Sequence, residues 1–527
     1  MTAPRLYRAP AGPPWAAPFS LAVAALVLAG ALVPPAPAAA QTLPPALLRR
    51  VESWYNQTRR AAHGRWGVAI ADERGTLLWG RDADRPLIPA STVKIFTTGF
   101  ARTRVGPQAR KVTRVHGVGM LDSASGRWIG TWSLELNGDP SLEDPHHVGP
   151  RLYDLAAQLA AAGIRRLDGP LLVTSANGPA TAVFPVNWPA RDRGSIFAPL
   201  VGPLTVHENT VSAWVAPAWR HGRRPRIANE APTGIGALIQ NEATTRTGRG
   251  SRLKLVPHRS GWILKGWIGT RSGAREVRAI AQDPQAVLEV VWGQALRQAG
   301  ITWAADEPDV LPPTDGRDHV LAEVYSPVFD SLAADIDRRS LNLGAELLLH
   351  WAAGTDGAAD SLAAHVAAVT GTSDGLRLVD GSGLSDLDRV TPRLQVTYLA
   401  KFPALSSGRN FPQLLPANGT GTLRRMGNGL PATGVVRAKT GTLNNVAALA
   451  GYLGRSDGVL TVSVIYNGGR TKTARRAQWR LFRLLGARGV VVPPDFDSPA
   501  DSAAADSVAA EGDIPAETPA DTAAWVH

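Results

Sequence analysis

A chain of 527 residues is long enough for two or three domains, each with its own core. It contains no cysteine, which excludes disulfides, thiolate catalysis, zinc–thiolate sites and a lipid-modified N-terminal cysteine. The net charge of +12 conceals a split: from Val491 onward there are eight acids and no Lys or Arg, leaving 36 acids against 56 bases, or +20, in the first 490 residues. Such a basic body could meet an anionic polymer, cell wall or nucleic acid, although a solvated Arg-rich surface is the simpler reading.

Residues 1–40 read as a secretory signal peptide. Arg5 and Arg8 form a basic start, residues 19–33 an apolar run of 15, and Ala38-Ala39-Ala40 a small-residue cleavage site before Gln41. A spanning helix needs about 20 apolar residues, so no stable transmembrane anchor is expected. Export places the chain in a periplasmic or other extracytoplasmic space and argues against a nucleic-acid partner.

Residues 44–58 then read as a helix, and 66–71 with 76–80 as a hairpin around Arg74-Gly75. Ser91 sits where the next helix should begin, with Lys94 on the same face of its first turn. Beyond about Thr103 the texture becomes β-rich. Strand-like runs cover 128–136, 169–173, 211–215, 252–256 and 262–267, interrupted by helical patches at 152–162 and 284–299. Helical patterning returns at 327–338 and 344–353, paired strands at 446–454 and 459–466, and a closing amphipathic helix at 475–485. These shifts divide the chain into a first catalytic part at 41–105, inserted β-rich domains at 106–324, a second catalytic part at 325–490 and an acidic low-complexity tail at 491–527.

Three motifs carry chemistry: Ser91-Thr-Val-Lys94, Ser340-Leu-Asn342 and Lys439-Thr440-Gly441, followed by Thr442. A serine needs a base to become a nucleophile, and a lysine three residues on in a helix supplies one if its amine is neutral. Only seven of the 56 basic residues are lysines, and two of them stand in these motifs. Arg cannot lose its proton and cannot replace them. Lys439-Thr440-Gly441 precedes a strand pair, so it reads as an edge strand whose glycine admits a close backbone approach. Three decoys are set aside. Ser251-x-x-Lys254 lies in an alternating strand, not a helix. Gly454-Arg-Ser456-Asp-Gly458 resembles a nucleophile elbow but has strands on both sides, which makes Ser456 a turn residue. Glu143, Asp144, His146 and His147 fit no metal-ligand spacing around Pro145 and read as a solvated loop.

In this order the motifs are the residue set of penicillin-binding proteins and serine β-lactamases. The chain resembles the class C low-molecular-mass penicillin-binding proteins, the D-alanyl-D-alanine carboxypeptidase/endopeptidase group of peptidase family S13. Asn137-Gly-Asp-Pro-Ser-Leu142, Asn209-Thr-Val, Asp380-Gly-Ser-Gly-Leu-Ser385, Gly421-Thr-Leu-Arg-Arg-Met426 and Ala450-Gly-Tyr also carry the likeness, as does the separation of 249 positions between Ser91 and Ser340. Two departures stand out: Thr174 or Ser175 where relatives usually have an acid, and Asp386 where a base is usual. The resemblance implies an α/β (α+β) transpeptidase-like fold, an antiparallel sheet flanked by helices with β-rich insertions. It also implies a serine carboxypeptidase/endopeptidase acting on peptidoglycan stem peptides, acylated by β-lactams, with no metal or organic cofactor. Ser91 would attack, Lys94 would take its proton, its amine kept neutral by burial or by a neighbouring positive charge such as Lys439, and the backbone N–H groups of Ser91 and Thr442 would hold the oxyanion. Ser340 would relay a proton to the leaving amine, and Asn342 would orient Lys94 and bond the substrate amide. Lys439, Thr440 and Thr442 would hold the terminal carboxylate. A β-lactamase or esterase on the same scaffold, or a non-catalytic cell-wall binding protein, are the competing readings.

Overall fold

The structure, a computed structural model, describes residues 42–146, 149–176, 180–306, 316–426 and 430–488. The expected signal peptide and acidic tail lie outside these residues, as does His147. The described residues belong to one compact unit that begins at Thr42.

Alternation of side chains builds the central sheet. Among the described residues its five antiparallel strands run in the order Val436–Leu443, Val446–Arg455, Gly458–Asn467, Arg65–Ala71, Leu77–Arg81, so the first and last parts of the chain share one sheet. Within Val446–Arg455, Leu449 and Leu453 point to one face, while Ala450 and Tyr452 point to the other, as period 2 requires. The first face carries helices Pro45–Ala61 and Thr471–Leu484. The second packs against Lys94–Val105, Phe329–Arg339, Asn342–Ala353, Ala358–Thr370 and Pro392–Lys401. Helix Pro392–Lys401 has a full set of start signals, a Thr391 side chain accepting the Leu394 N–H at 3.1 Å and Pro392 in its first turn. The expected helices at 44–58, 327–338, 344–353 and 475–485 are present as Pro45–Ala61, Phe329–Arg339, Asn342–Ala353 and Thr471–Leu484.

Between the two shares of this sheet the chain makes a long β-rich excursion. It leaves on strand Val112–Asp122 and returns on Asp318–Tyr325, which pair antiparallel with Val112 opposite Tyr325. Departure and return are thus adjacent. Among the described residues the excursion holds sheets of six, three and four strands around a separate apolar core that includes Trp132, Leu159, Val211, Trp262 and Trp292. The expected strand at 169–173 is instead two short strands, Arg166–Asp168 and Leu172–Thr174. Gly169 at φ +89° and Pro170, which has no N–H to donate, break the ladder between them.

A buried ion pair ties the helix after Ser91 to the helix before Ser340. Arg102 Nε and Nη2 donate to the two oxygens of Asp330 at 2.7 and 2.9 Å, and both side chains are buried. Removing one partner strands the other charge. Asp330→Ala should therefore lower the unfolding free energy by about 3–5 kcal/mol, read as a lower denaturant midpoint. An unchanged midpoint would show that the pair does not hold the two helices together.

Candidate active site

Three separate stretches of sequence meet at one buried amine. Lys94, at the start of its helix, is fully buried. Its Nζ lies 2.6 Å from the Ser382 carbonyl oxygen, 2.7 Å from Asn342 Oδ1 and 3.1 Å from Ser91 Oγ. An ammonium has three N–H donors and fills all three contacts. A neutral amine has two, which suit the two shorter contacts and leave its lone pair for the Ser91 hydroxyl. Loss of solvent lowers Lys94 to about 8, against the opposing pull of Asp380, Asp337, Glu346 and Asp388.

The serine turn is held from several sides. Ser91 lies in a single 3₁₀ turn, Ala90–Val93, that runs directly into helix Lys94–Val105. Ala90 has φ +48°, a left-handed conformation that costs a non-glycine residue roughly 1–2 kcal/mol. Thr92 Oγ1 donates to the Pro89 carbonyl at 2.8 Å and accepts from Gln395 Nε2 at 2.8 Å. Two glycines let other segments press on this turn. A Cβ at Gly441 would stand 2.6 Å from the Pro89 oxygen and 3.1 Å from the Ser91 nitrogen, and one at Gly383 would stand 2.1 Å from the Ala90 oxygen. The edge strand Val436–Leu443 therefore runs flush against the nucleophile turn, with Lys439 and Thr440 buried and Thr442 exposed.

Lys439 Nζ donates to Ser340 Oγ at 2.8 Å and to the Thr440 carbonyl at 3.1 Å. Its amine is held well below the ordinary lysine range, first by burial and then by the charge on Lys94. Burial acts first on both amines, and a positive charge on either one disfavours a charge on the other. Asn342 is pinned at both ends of its amide, since Nδ2 donates to the Phe197 carbonyl at 2.8 Å while Oδ1 faces Lys94. The amide has a second N–H to offer a substrate. All eight expected residues, Ser91, Lys94, Ser340, Asn342, Lys439, Thr440, Gly441 and Thr442, belong to this one constellation.

Neither serine decoy stands at a helix start. Ser251 and Lys254 sit on strand Ser251–His258, and Ser456 occupies the tight turn between Val446–Arg455 and Gly458–Asn467. The acidic loop is a correction. Glu143 and Asp144 are buried, not solvated. Glu143 accepts from Arg151 Nη1 at 2.9 Å and from the Leu152 N–H at 2.7 Å, and Asp144 lies 3.5 Å from Arg339. Arg339 also pairs with Glu208 and, at 2.5 Å, with Asp335. Asp144, Glu208 and Asp335 thus grip the residue immediately before Ser340, which itself has the left-handed φ of 61°. Local spacing gives no warning of this, because Asp144 and Glu208 meet Arg339 across long stretches of chain. Asp386, where a base was expected, pairs with Arg191.

Two further residues stand near the motif side chains and carry no motif of their own. Arg475 donates to the Gly441 carbonyl at 2.6 Å and to Thr442 Oγ1 at 2.9 Å, bracing the outer end of the edge strand. Asp337 is fully buried, on the helix that ends at Ser340, and within the field of both lysines. Burial raises its carboxyl to about 7, while Lys439 and Lys94 pull it down.

Residues 47–485 match the family model of the D-Ala-D-Ala carboxypeptidase 3 (S13) family. The chain belongs to that family. An S13 enzyme is a serine peptidase of the D-alanyl-D-alanine carboxypeptidase kind. Among its relatives, a D-alanyl-D-alanine carboxypeptidase of Actinomadura sp. is 28% identical over 432 residues, 76% of this chain and 77% of that one. A carboxypeptidase DacB of Mycolicibacterium smegmatis is 27% identical over 485 residues, 86% of this chain and 90% of that one. Penicillin binding protein 4 of Haemophilus influenzae shares the fold with a TM-score of 0.64 at 21% identity, covering 82% of this chain and 98% of that one. The same protein complexed with a β-lactam gives 0.62.

Close contact at Gly441 yields a test. Gly441→Ala must push the edge strand away from the Ser91 turn, since the clash is with backbone. Acylation should fall about 10²-fold with folding retained, as expected for a misplacement of about 1 Å. Acylation at the parent rate would refute the close-approach role of this glycine.

Proposed function

We propose that the chain is an exported hydrolase that cleaves the D-alanyl-D-alanine bond of peptidoglycan stem peptides through an acyl-enzyme on Ser91, and that β-lactams acylate the same serine. The observation that carries this reading is the Lys94 amine, buried, lowered to about 8 and in contact with Ser91 Oγ at 3.1 Å. Ser91 Oγ attacks the carbonyl of the penultimate D-alanine while its proton passes to neutral Lys94. The Ser91 and Thr442 N–H groups face the developing oxyanion, and such a donor is worth about 10²–10³ in rate. The carbon–nitrogen bond then breaks as the proton taken up by Lys94 passes to the leaving amine through Ser340, which accepts from Lys439. Water then attacks the ester while Lys94, neutral again, takes its proton and hands it to Ser91 Oγ as the ester bond breaks.

The terminal carboxylate lies against Lys439, Thr440 and Thr442. A carboxylate there favours the charged form of Lys439, and that charge in turn keeps Lys94 neutral. Substrate arrival thereby readies the base. Family membership, the carboxypeptidase relatives and the β-lactam complex of the Haemophilus protein support this assignment. Export rests on the signal-peptide pattern of residues 1–40, and the described residues contain no helix long and apolar enough to cross a membrane. Residues 106–324 are read as domains inserted into one catalytic body formed by 41–105 and 325–490.

Ser91→Ala should abolish covalent labelling by a fluorescent penicillin while thermal unfolding is unchanged; persistent labelling would move the nucleophile elsewhere. Lys94→Arg keeps a charge but cannot accept the proton, so it should lose activity, and an active variant would remove Lys94 as the base.

The pH dependence follows from the same groups. Below about 8 Lys94 carries a proton and cannot act, so the acylation rate should climb as pH rises through that value. Ionised Asp337 raises both lysines. Asp337→Asn removes that charge, lowers Lys94 further and should move the climbing limb to lower pH. A profile left in place would mean that Asp337 has only a packing role.

A further inference from the structure

The excess positive charge of the body is not spread evenly over its surface. Residues 217–226, 244–254 and 265–275 contain four, four and three Arg and Lys and no Asp or Glu. All of these bases are exposed. The three segments are neighbours in space. Strand Thr244–Arg246 pairs with Gly261–Gly269, which pairs in turn with Ser251–His258. The loop at 217–226 is stitched to Thr244–Arg246 by the Gly222 N–H to the Thr245 carbonyl and the Thr245 N–H to the Arg223 carbonyl, both at 2.8 Å.

The face is arranged, and arranged against electrostatic resistance. Leu255, Trp262 and Leu264 turn to the core, so their alternates Lys254, Lys265 and Trp267 face outward. Lys254 stands directly opposite Lys265 across the antiparallel pair. Like charges in that position destabilise a sheet, and Glu242, at 4.0 Å from Lys265, offsets only one of the two. The Arg246 guanidinium lies 5.2 Å from the centre of the Trp267 ring. Next to this sheet, Trp219 is 74% exposed, with the Arg220 guanidinium 3.8 Å from its ring centre. Trp219, Arg223, Arg224 and Arg226 line a hollow of about 830 Å³. An exposed tryptophan among arginines has a flat apolar face for a sugar ring beside donors that match carboxylate or phosphate groups.

We propose that this face of the excursion binds a polyanionic glycan of the cell wall, separately from the serine cleft. The inference rests on the peptidoglycan reading above, because that reading puts the chain beside a polymer of sugars whose stem peptides bear free carboxylates. Sugar rings would stack on Trp219, and acidic groups would sit between the arginines and across the Lys254–Lys265 pair. Holding the polymer raises the local concentration of stem peptides at Ser91 without contributing to the chemistry there. Two weak contacts on one strand then act together.

The test uses the full chain and isolated peptidoglycan sacculi in a sedimentation assay. The parent protein should sediment with sacculi, and less so as salt is raised, since exposed charges are screened. Replacing Arg223 and Arg224 together by Glu should weaken this binding about tenfold or more, and Trp219→Ala should weaken it by about threefold. Both should leave hydrolysis of a short soluble D-alanyl-D-alanine peptide unchanged. Parent-like sedimentation of the Arg variants would overturn the proposal. So would tighter binding to anionic phospholipid vesicles or single-stranded DNA than to sacculi, since the face would then serve a membrane or a nucleic acid. Binding is read with Ser91→Ala as well, so a failed acylation assay and a failed binding assay remain distinct results.

Discussion

One lysine amine, taken out of water, dictates how the groups around it must be arranged. Burial penalises its charge, and the surroundings must supply acceptors for whatever protons it keeps. Here the acceptors come from three parts of the chain: the serine one turn away, Asn342 at the start of a later helix, and the Ser382 carbonyl. The same three bonds that satisfy the amine therefore assemble the site. A second buried amine, Lys439, does the same for Ser340 and the edge strand. Neither lysine could be exchanged for arginine without losing the variable proton that the chemistry uses.

The β-rich excursion is more than an appendage to this assembly. It reaches the site at the Phe197 carbonyl, which orients the Asn342 amide. It reaches it again at Glu208 and Asp144, which hold Arg339 next to Ser340. His207, Glu208 and Asn209 all have left-handed backbone, with φ of 50°, 55° and 52°. Three such residues in succession are strained, and the Asn209 amide holds them by donating to the Leu200 and Leu204 carbonyls at 3.0 and 3.1 Å. The strained turn aims a carboxylate at Arg339. A segment that reads in sequence as an interruption of the catalytic body thus fixes part of its geometry.

Much of this is legible in the order of residues. The Ser91, Ser340 and Lys439 motifs, the edge-strand position of Lys439-Thr440-Gly441 and the change to β texture past Thr103 all rest on local signals, spacing and alternation. The misreadings have a common origin. Glu143 and Asp144 look solvated because acids beside a proline usually are, and only Arg151 and the distant Arg339 make their burial tolerable. Asp337 stands in no motif, and only folding brings it into the field of two lysines. Helix Ala358–Thr370 goes unread because its alanine-rich run has weak periodicity and no side-chain cap.

Residue order carries the chemical inventory: a hydroxyl, amines able to lose a proton, a glycine where backbone must approach backbone, and no thiol. Those depend on residue type and short spacing, which a chain keeps in any conformation. Protonation and aim come from packing. Whether Lys94 is a base depends on how much water it has lost, and whether Asn342 points its oxygen inward depends on a carbonyl contributed by the excursion. Both are set by distances between groups remote in sequence, and only the folded chain has such distances.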